Sequence, residues 1–233
     1  MRKIISTAFF FFWAILLGSC AGLKANSFRP VPDYTDDVVP EKSLLIGDIT
    51  ETKGGAAAAH LPDWLFAFIN GGIEEIEKMD FYREKYCFVG TNESGNFGAL
   101  NKWAENFSVI QDFPRLAAVR IEKKLISAAA LYPDDEYGSF YELMVKKAFD
   151  TEYTGAFLEN TFWIKKKISQ NEAANRSDGS GEVYEFFVFI SIDRIAMQNI
   201  IENMMAEVLA LVTPTRAQNT AIKRLQQDFF MGF

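Results

Sequence analysis

Apolar positions along the 233-residue chain follow several different spacings. A run broken only by Ser6 and Thr7 fills Ile4 to Leu17, and a stretch rich in proline, glycine and acidic residues follows to about residue 60. From "HLPDWLFAFINGG" onward both parities are apolar, with Trp64, Phe66 and Phe68 interleaved with Leu65, Ala67 and Ile69, which fits a buried strand or a short helix. "IEEIEKM" predicts a helical turn, and "REKYCFVGTNES" predicts a strand over 85–91 that stops at Gly90 and a polar loop. Leu100, Trp103, Ala104, Phe107 and Ile110 then recur at steps of three and four, one face of a helix that Pro114 interrupts. A second helix carries Leu116, Val119, Ile121, Leu125, Ala128 and Ala129. Ser139 and Glu142 form a capping box for a third, whose apolar side is Phe140, Leu143, Met144 and Ala148.

The period then changes to two. "NTFWIKKKIS" places Phe162, Ile164 and Ile168 on one face of a strand and Trp163, Lys165 and Lys167 on the other, mostly wetted one. "EVYEFFVFISI" is β-branched or aromatic almost throughout, so it predicts a central strand covered on both faces and paired with the first as an antiparallel hairpin. Asp193 caps a long helix over 194–212, and Thr213-Pro214 opens a last amphipathic one with Ala221, Ile222, Leu225 and Phe229 on one side. The order predicts an α+β domain: a small antiparallel sheet with helices packed on one face, preceded by a lipidated flexible tether. The expected divisions are a signal peptide at 1–19, the lipidated cysteine and tether at 20–60, the α+β domain at 61–213 and the C-terminal amphipathic helix at 214–233.

The first run changes the setting of all the rest. Arg2 and Lys3 precede it, and its 14 apolar-rich residues fall short of the roughly 20 that span a bilayer, so it reads as a secretory leader. It ends in Leu17-Gly18-Ser19-Cys20, which resembles the lipobox of bacterial lipoproteins. That resemblance implies cleavage before Cys20, diacylglycerol on its thiol and an N-acyl group on its amine, with no other cofactor. Acyl chains at about 0.8 kcal/mol per buried CH₂ anchor such a chain durably. The expected location is the bacterial cell envelope. Ala21 is not the aspartate that retains such proteins in the inner membrane, which favours the outer membrane.

Without Arg2 and Lys3, 22 basic residues face 31 acidic ones, a net charge of −9, so nucleic acid is not an expected partner. With Cys20 lipidated, Cys87 has no disulfide partner and reads as a buried thiol. One histidine, His60, leaves no set for a zinc site or a histidine-based triad. The glycines of "GTNESGNFG" have the spacing of a phosphate loop, but Asn96 and Phe97 stand where lysine and serine or threonine are required, so a structural turn is expected. Asp134-Asp135-Glu136 lacks the spacing of a calcium loop. No metal site and no catalytic residue are expected.

"LPDW" opening the domain, Gly90 at the end of a strand, Trp163 in a later strand and a Tyr184-led aromatic strand running into a helix together resemble the LPP-twenty family of bacterial envelope lipoproteins, related to the N-terminal module of the flagellar protein FlgT. The resemblance spans roughly residues 62–205; the break at Pro114 and the long loops at 70–84 and 170–181 depart from it. It implies a non-enzymatic module whose partner is an envelope, cell-wall or flagellar component. The residues expected to meet that partner are Lys165, Lys166 and Lys167 on the first hairpin strand and Phe229 and Phe230 on the last helix. Two other functions are consistent with the composition: a carrier of a small apolar ligand or lipid, from the Met- and Phe-rich helices over 195–231, and a carboxylate-based hydrolase.

Overall fold

A computed structural model describes residues 48–56, 61–130, 138–168 and 181–231. The leader, Cys20 and most of the tether, the acidic loop at 134–136 and most of the 170–181 loop lie outside these residues.

The described chain is α+β. Five antiparallel strands, β1 (Ile49–Thr52), β2 (Gly55–Ala56), β3 (Lys85–Ser94), β4 (Phe157–Lys167) and β5 (Glu182–Asp193), pair in the order β2-β1-β4-β5-β3. β5 is interior, flanked by β3 and β4, as its two-sided apolar composition requires. β1 pairs with β4 and belongs to the sheet, so the folded part starts upstream of the expected boundary at residue 61.

The expected single helical layer is only half of the arrangement. α4 (Val109–Ala130), α5 (Gly138–Asp150), α6 (Arg194–Leu211) and α7 (Arg216–Met231) cover the face that presents Tyr86, Phe88, Val188, Ile190 and Ile192. The opposite face presents Cys87, Val89, Phe162, Ile164, Phe187 and Phe189, and α1 (Asp63–Gly71) and α2 (Ile73–Glu77) cover it. The reason lies in β5, whose rings at 187 and 189 would otherwise meet water. Trp64 stacks on Phe189 at 4.8 Å and Phe68 packs edge-on against Phe187 at 6.3 Å. Each such side chain contributes about 1.5–3 kcal/mol on full burial.

Locally, α1 is helical because Trp64, Leu65, Phe68 and Ile69 form one stripe at helical spacing, leaving Phe66 outside it. It ends at Gly72, whose φ of 72° only glycine adopts without strain. α3 (Phe97–Asn106) begins at Asn96, whose side chain accepts from the Ala99 amide. The break between α3 and α4 falls at Phe107-Ser108, ahead of Pro114: the Asp112 carboxylate accepts from the Ser108 amide and the Ser108 hydroxyl from the Gln111 amide, a cap strong enough to start a new helix there. Pro114 sits inside α4. α5 already includes Gly138, so Ser139 is its second residue rather than its cap. Asp193 caps α6 as expected, accepting from the Ile195 and Ala196 amides. The cap of α7 is Thr215 rather than Thr213, with Thr215 and Gln218 bonded reciprocally.

β3 runs through Gly90 to Ser94 instead of stopping at Gly90, which removes the phosphate-loop geometry. The glycine has another use. A Cβ there would lie 2.8 Å from Val188 Cγ2 and 3.2 Å from Leu116 Cδ1, so its absence sets how closely α4 approaches the sheet. Gly90→Ala is expected to cost about 1–3 kcal/mol of stability through overpacking, measured as a lower urea midpoint at unchanged m-value.

Candidate interaction surface

The three hairpin lysines do not act as one patch. Lys166 points to the α1 side of the sheet and is held between two carboxylates, Glu185 at 2.6 Å and Glu93 at 2.9 Å. Burial pulls its ammonium down, but the two acids outweigh it and hold it above the ordinary lysine range. The Glu185 carboxyl is raised, first by burial and then by Glu93, its cross-strand neighbour. Two acids share one base, so the cluster takes up protons readily. Lys165 pairs with Glu182 at 2.6 Å and lies over the Tyr184 ring at 5.7 Å. Lys167 alone is exposed. The wet face expected around Trp163 is instead half filled by α3: Phe97 packs edge-on against Trp163 and Tyr184, each at 5.1 Å, and against Phe186 at 5.3 Å.

The last helix is likewise engaged. Ile222, Leu225 and Phe229 are buried against the α4–α6 layer, with Phe229 1% exposed and Phe230 packed beside it. The α7 stripe is therefore part of the domain core. Met197, Met204 and Met205 are buried in the same core, so the apolar faces that suggested a lipid carrier are occupied by each other.

Groups suited to chemistry are also spent internally. Burial pushes the Cys87 thiol up to about 12, so thiolate is scarce at neutral pH. Ser191 Oγ and Lys85 Nζ both donate to Glu159 Oε1, at 2.5 and 2.8 Å. Glu159 reaches them because β4 bulges between Leu158 and Asn160, inserting one residue and re-aiming its side chain. Among the described residues, no group of three His, Cys, Asp or Glu side chains is placed to hold a metal, and no helix is long and apolar enough to cross a membrane.

What remains open is a set of rings on the α1–α2 side. Phe81, in the 3-10 turn Asp80–Tyr82, is 70% exposed; Phe157, at the start of β4, is 63% exposed; Phe66, outside the α1 stripe, is 51% exposed. Lys85 and Glu159 connect the first two. Lys85 Nζ lies 4.6 Å from the Phe81 ring centre and bonds Glu159, two residues from Phe157. Phe157 pairs with Ser191, the residue that also bonds Glu159, so both side chains emerge on this face. Between α1 and α2 lies an open groove of about 580 Å³, lined by Phe66, Ala67, Asn70, Glu75, Lys78 and Met79. The chain passes from Met79 directly into the turn that carries Phe81. None of these rings stood out in the sequence, where 22 phenylalanines are alike and Phe66 leaves the apolar stripe only once 63–71 is known to be helical.

Comparison with protein-family models, with curated proteins and with solved structures gives no match.

Proposed function

We propose that this chain is a lipid-anchored protein of the bacterial cell envelope, held at the outer membrane through Cys20, and that it works without catalysis, by protein–protein contact. The observation that carries the reading is the exposed set Phe66, Phe81 and Phe157 on the α1–α2 side of the sheet, Phe66 lining the groove there. Exposed aromatic rings gathered on one side of a folded domain mark contact surfaces. Support from the other side is that Ser191 and Lys85 are bonded to Glu159, and Lys166 to Glu93 and Glu185. The anchor is supported by the lipobox-like Leu17-Gly18-Ser19-Cys20.

The test is a cross-linked pull-down of tagged full-length chain from its own envelope. Phe81→Asp is expected to lose the captured protein while staying in the membrane fraction, and Cys20→Ser is expected to leave that fraction. Capture that is indifferent to Phe81→Asp and Phe157→Asp would sink the contact surface, and a Cys20→Ser chain still held in the membrane would sink the anchor.

A further inference from the structure

We infer that the protein meeting this surface is basic where it touches, its lysine or arginine side chains answering a surplus of carboxylates around the exposed rings. This rests on the contact reading above and names the chemistry of the partner. The first observation is the balance of charge. Between residues 61 and 85 the bases are Lys78, Arg83 and Lys85, and each is already paired with an acid, Glu75, Asp80 and Glu159 respectively. Three more acids of that stretch, Asp63, Glu74 and Glu84, are exposed and make no ion pair among the described residues. Glu77 is turned inward to Arg120 and is not part of the surface. Six carboxylates thus stand against three bases.

The second observation is where the surplus lies. Asp63 precedes Phe66, Ala67 and Asn70 by three, four and seven residues, so it shares the α1 face that lines the groove. Glu74 acts on the groove residue Lys78 and on Lys124 of α4 only through space. Glu84 is exposed between the Phe81 turn and β3. Glu159 adds an acceptor: Lys85 and Ser191 both donate to Oε1, which leaves Oε2 without a hydrogen bond and not buried. A lysine or arginine suits both halves of such a surface, because it pairs with a carboxylate and also lies over an aromatic ring. Lys85 shows the arrangement within the chain itself, bonded to Glu159 and 4.6 Å from the Phe81 ring centre. The surplus also selects against other occupants. A second copy brings the same six carboxylates and an anionic lipid surface brings phosphates, so both are repelled. The formal net charge of −7 draws a basic partner from a distance in the same sense.

The experiment selects short random peptides from a displayed library on the full chain in detergent micelles. The enriched peptides are expected to be rich in lysine or arginine. The dissociation constant of the leading peptide, read by fluorescence anisotropy, is expected to rise about tenfold in the double variant Asp63→Asn with Glu74→Gln. A similar rise is expected in Phe81→Ser, which removes the ring without changing the charge. Glu142→Gln with Glu202→Gln removes the same charge from exposed positions on α5 and α6 and is expected to leave the constant within about twofold. Far-ultraviolet circular dichroism checks that the fold is kept. Should the first double variant misfold, Glu74→Gln with Glu84→Gln makes the same change in charge. Basic peptides that respond alike to the two regions overturn the inference. Neutral or acidic peptides lost in Phe81→Ser overturn it while leaving the contact reading in place, and binding indifferent to Phe81→Ser overturns both.

Discussion

Lys166→Met is expected to lower the unfolding free energy at pH 7 by about 3 kcal/mol, and the deficit is expected to shrink as the pH falls. Methionine keeps the packed stem of the side chain, so the loss isolates the charge. Without the ammonium, Glu93 and Glu185 face each other across β3 and β5 with no cation between them. Like charges directly opposite in a sheet destabilise it, and a carboxylate as buried as Glu185 adds its desolvation cost. Linkage fixes the sign. In the wild type the folded-state Glu185 carboxyl already lies above the ordinary value of 4.5. The folded chain then holds a proton that the unfolded chain has released, so this contribution is complete below the unfolded pKa and is lost as pH rises through the folded one. In Lys166→Met the carboxyl moves further up and the window widens. Urea unfolding followed by tryptophan fluorescence between pH 4 and 8 reads the effect. A loss equal at every pH would mean that Lys166 acts through packing alone. Lys167→Met, one residue along on the exposed side, is expected to leave the curve in place.

Local pattern separates these lysines but does not place their partners. Period two correctly separates Lys166 from Lys165 and Lys167, since it shares the parity of Phe162 and Ile164. What it lacks is the register of β3 and β5, which decides that Glu93 and Glu185 are the groups Lys166 meets. The same limit explains the helical layers. The two-sided character of "EVYEFFVFISI" is local and was legible, as was the Asp193 cap, because each is written in adjacent residues. The partner for the second face, α1, was ambiguous between strand and helix, because a nine-residue stretch with apolar residues at both parities satisfies either template. Once it is a helix, Phe66 falls off the stripe and becomes surface. β1 is four residues of mixed polarity whose strand character comes from pairing with β4, and no local pattern encodes that. The helix break was misassigned to Pro114 because proline is the louder signal; the Ser108 and Asp112 cap is quieter and acts first.

Glu77→Ala is expected to lower the melting temperature by roughly 10 °C, the consequence of about 3 kcal/mol lost from a domain of this size. The argument starts from an exposed strand edge. β3 ends the sheet, so alternate backbone groups along it point away from β5. At Cys87 the protein supplies both partners from side chains: Glu77 Oε1 accepts from the Cys87 amide at 2.8 Å, and Arg120 Nη1 donates to the Cys87 carbonyl at 2.9 Å. The two side chains bond each other at 2.8 Å, and Arg194 Nη2 approaches the same carboxylate at 3.6 Å. Glu77 and Arg120 are 11% and 14% exposed, and the guanidinium lies 5.2 Å from the Tyr86 ring centre and 5.1 Å from that of Phe88. The clasp thus joins α2, on one face of the sheet, to α4, on the other, around the edge strand between them. It also offsets a carboxylate at the C-terminal end of a helix, where the dipole disfavours one. Removing Glu77 leaves the Cys87 amide without its acceptor and the arginine without its nearest counter-charge, two costs that add because both groups are buried. Glu77→Gln restores an acceptor but no charge, so its drop should be about half as large. Cys87 provides a local readout, since its thiol is buried and its backbone is held by the clasp. In a Cys20→Ser background, maleimide labelling of Cys87 should accelerate in Glu77→Ala under conditions where tryptophan fluorescence still reports a folded chain. Labelling that tracks global unfolding alone would place the stabilisation in the core and reduce the clasp to a surface ornament.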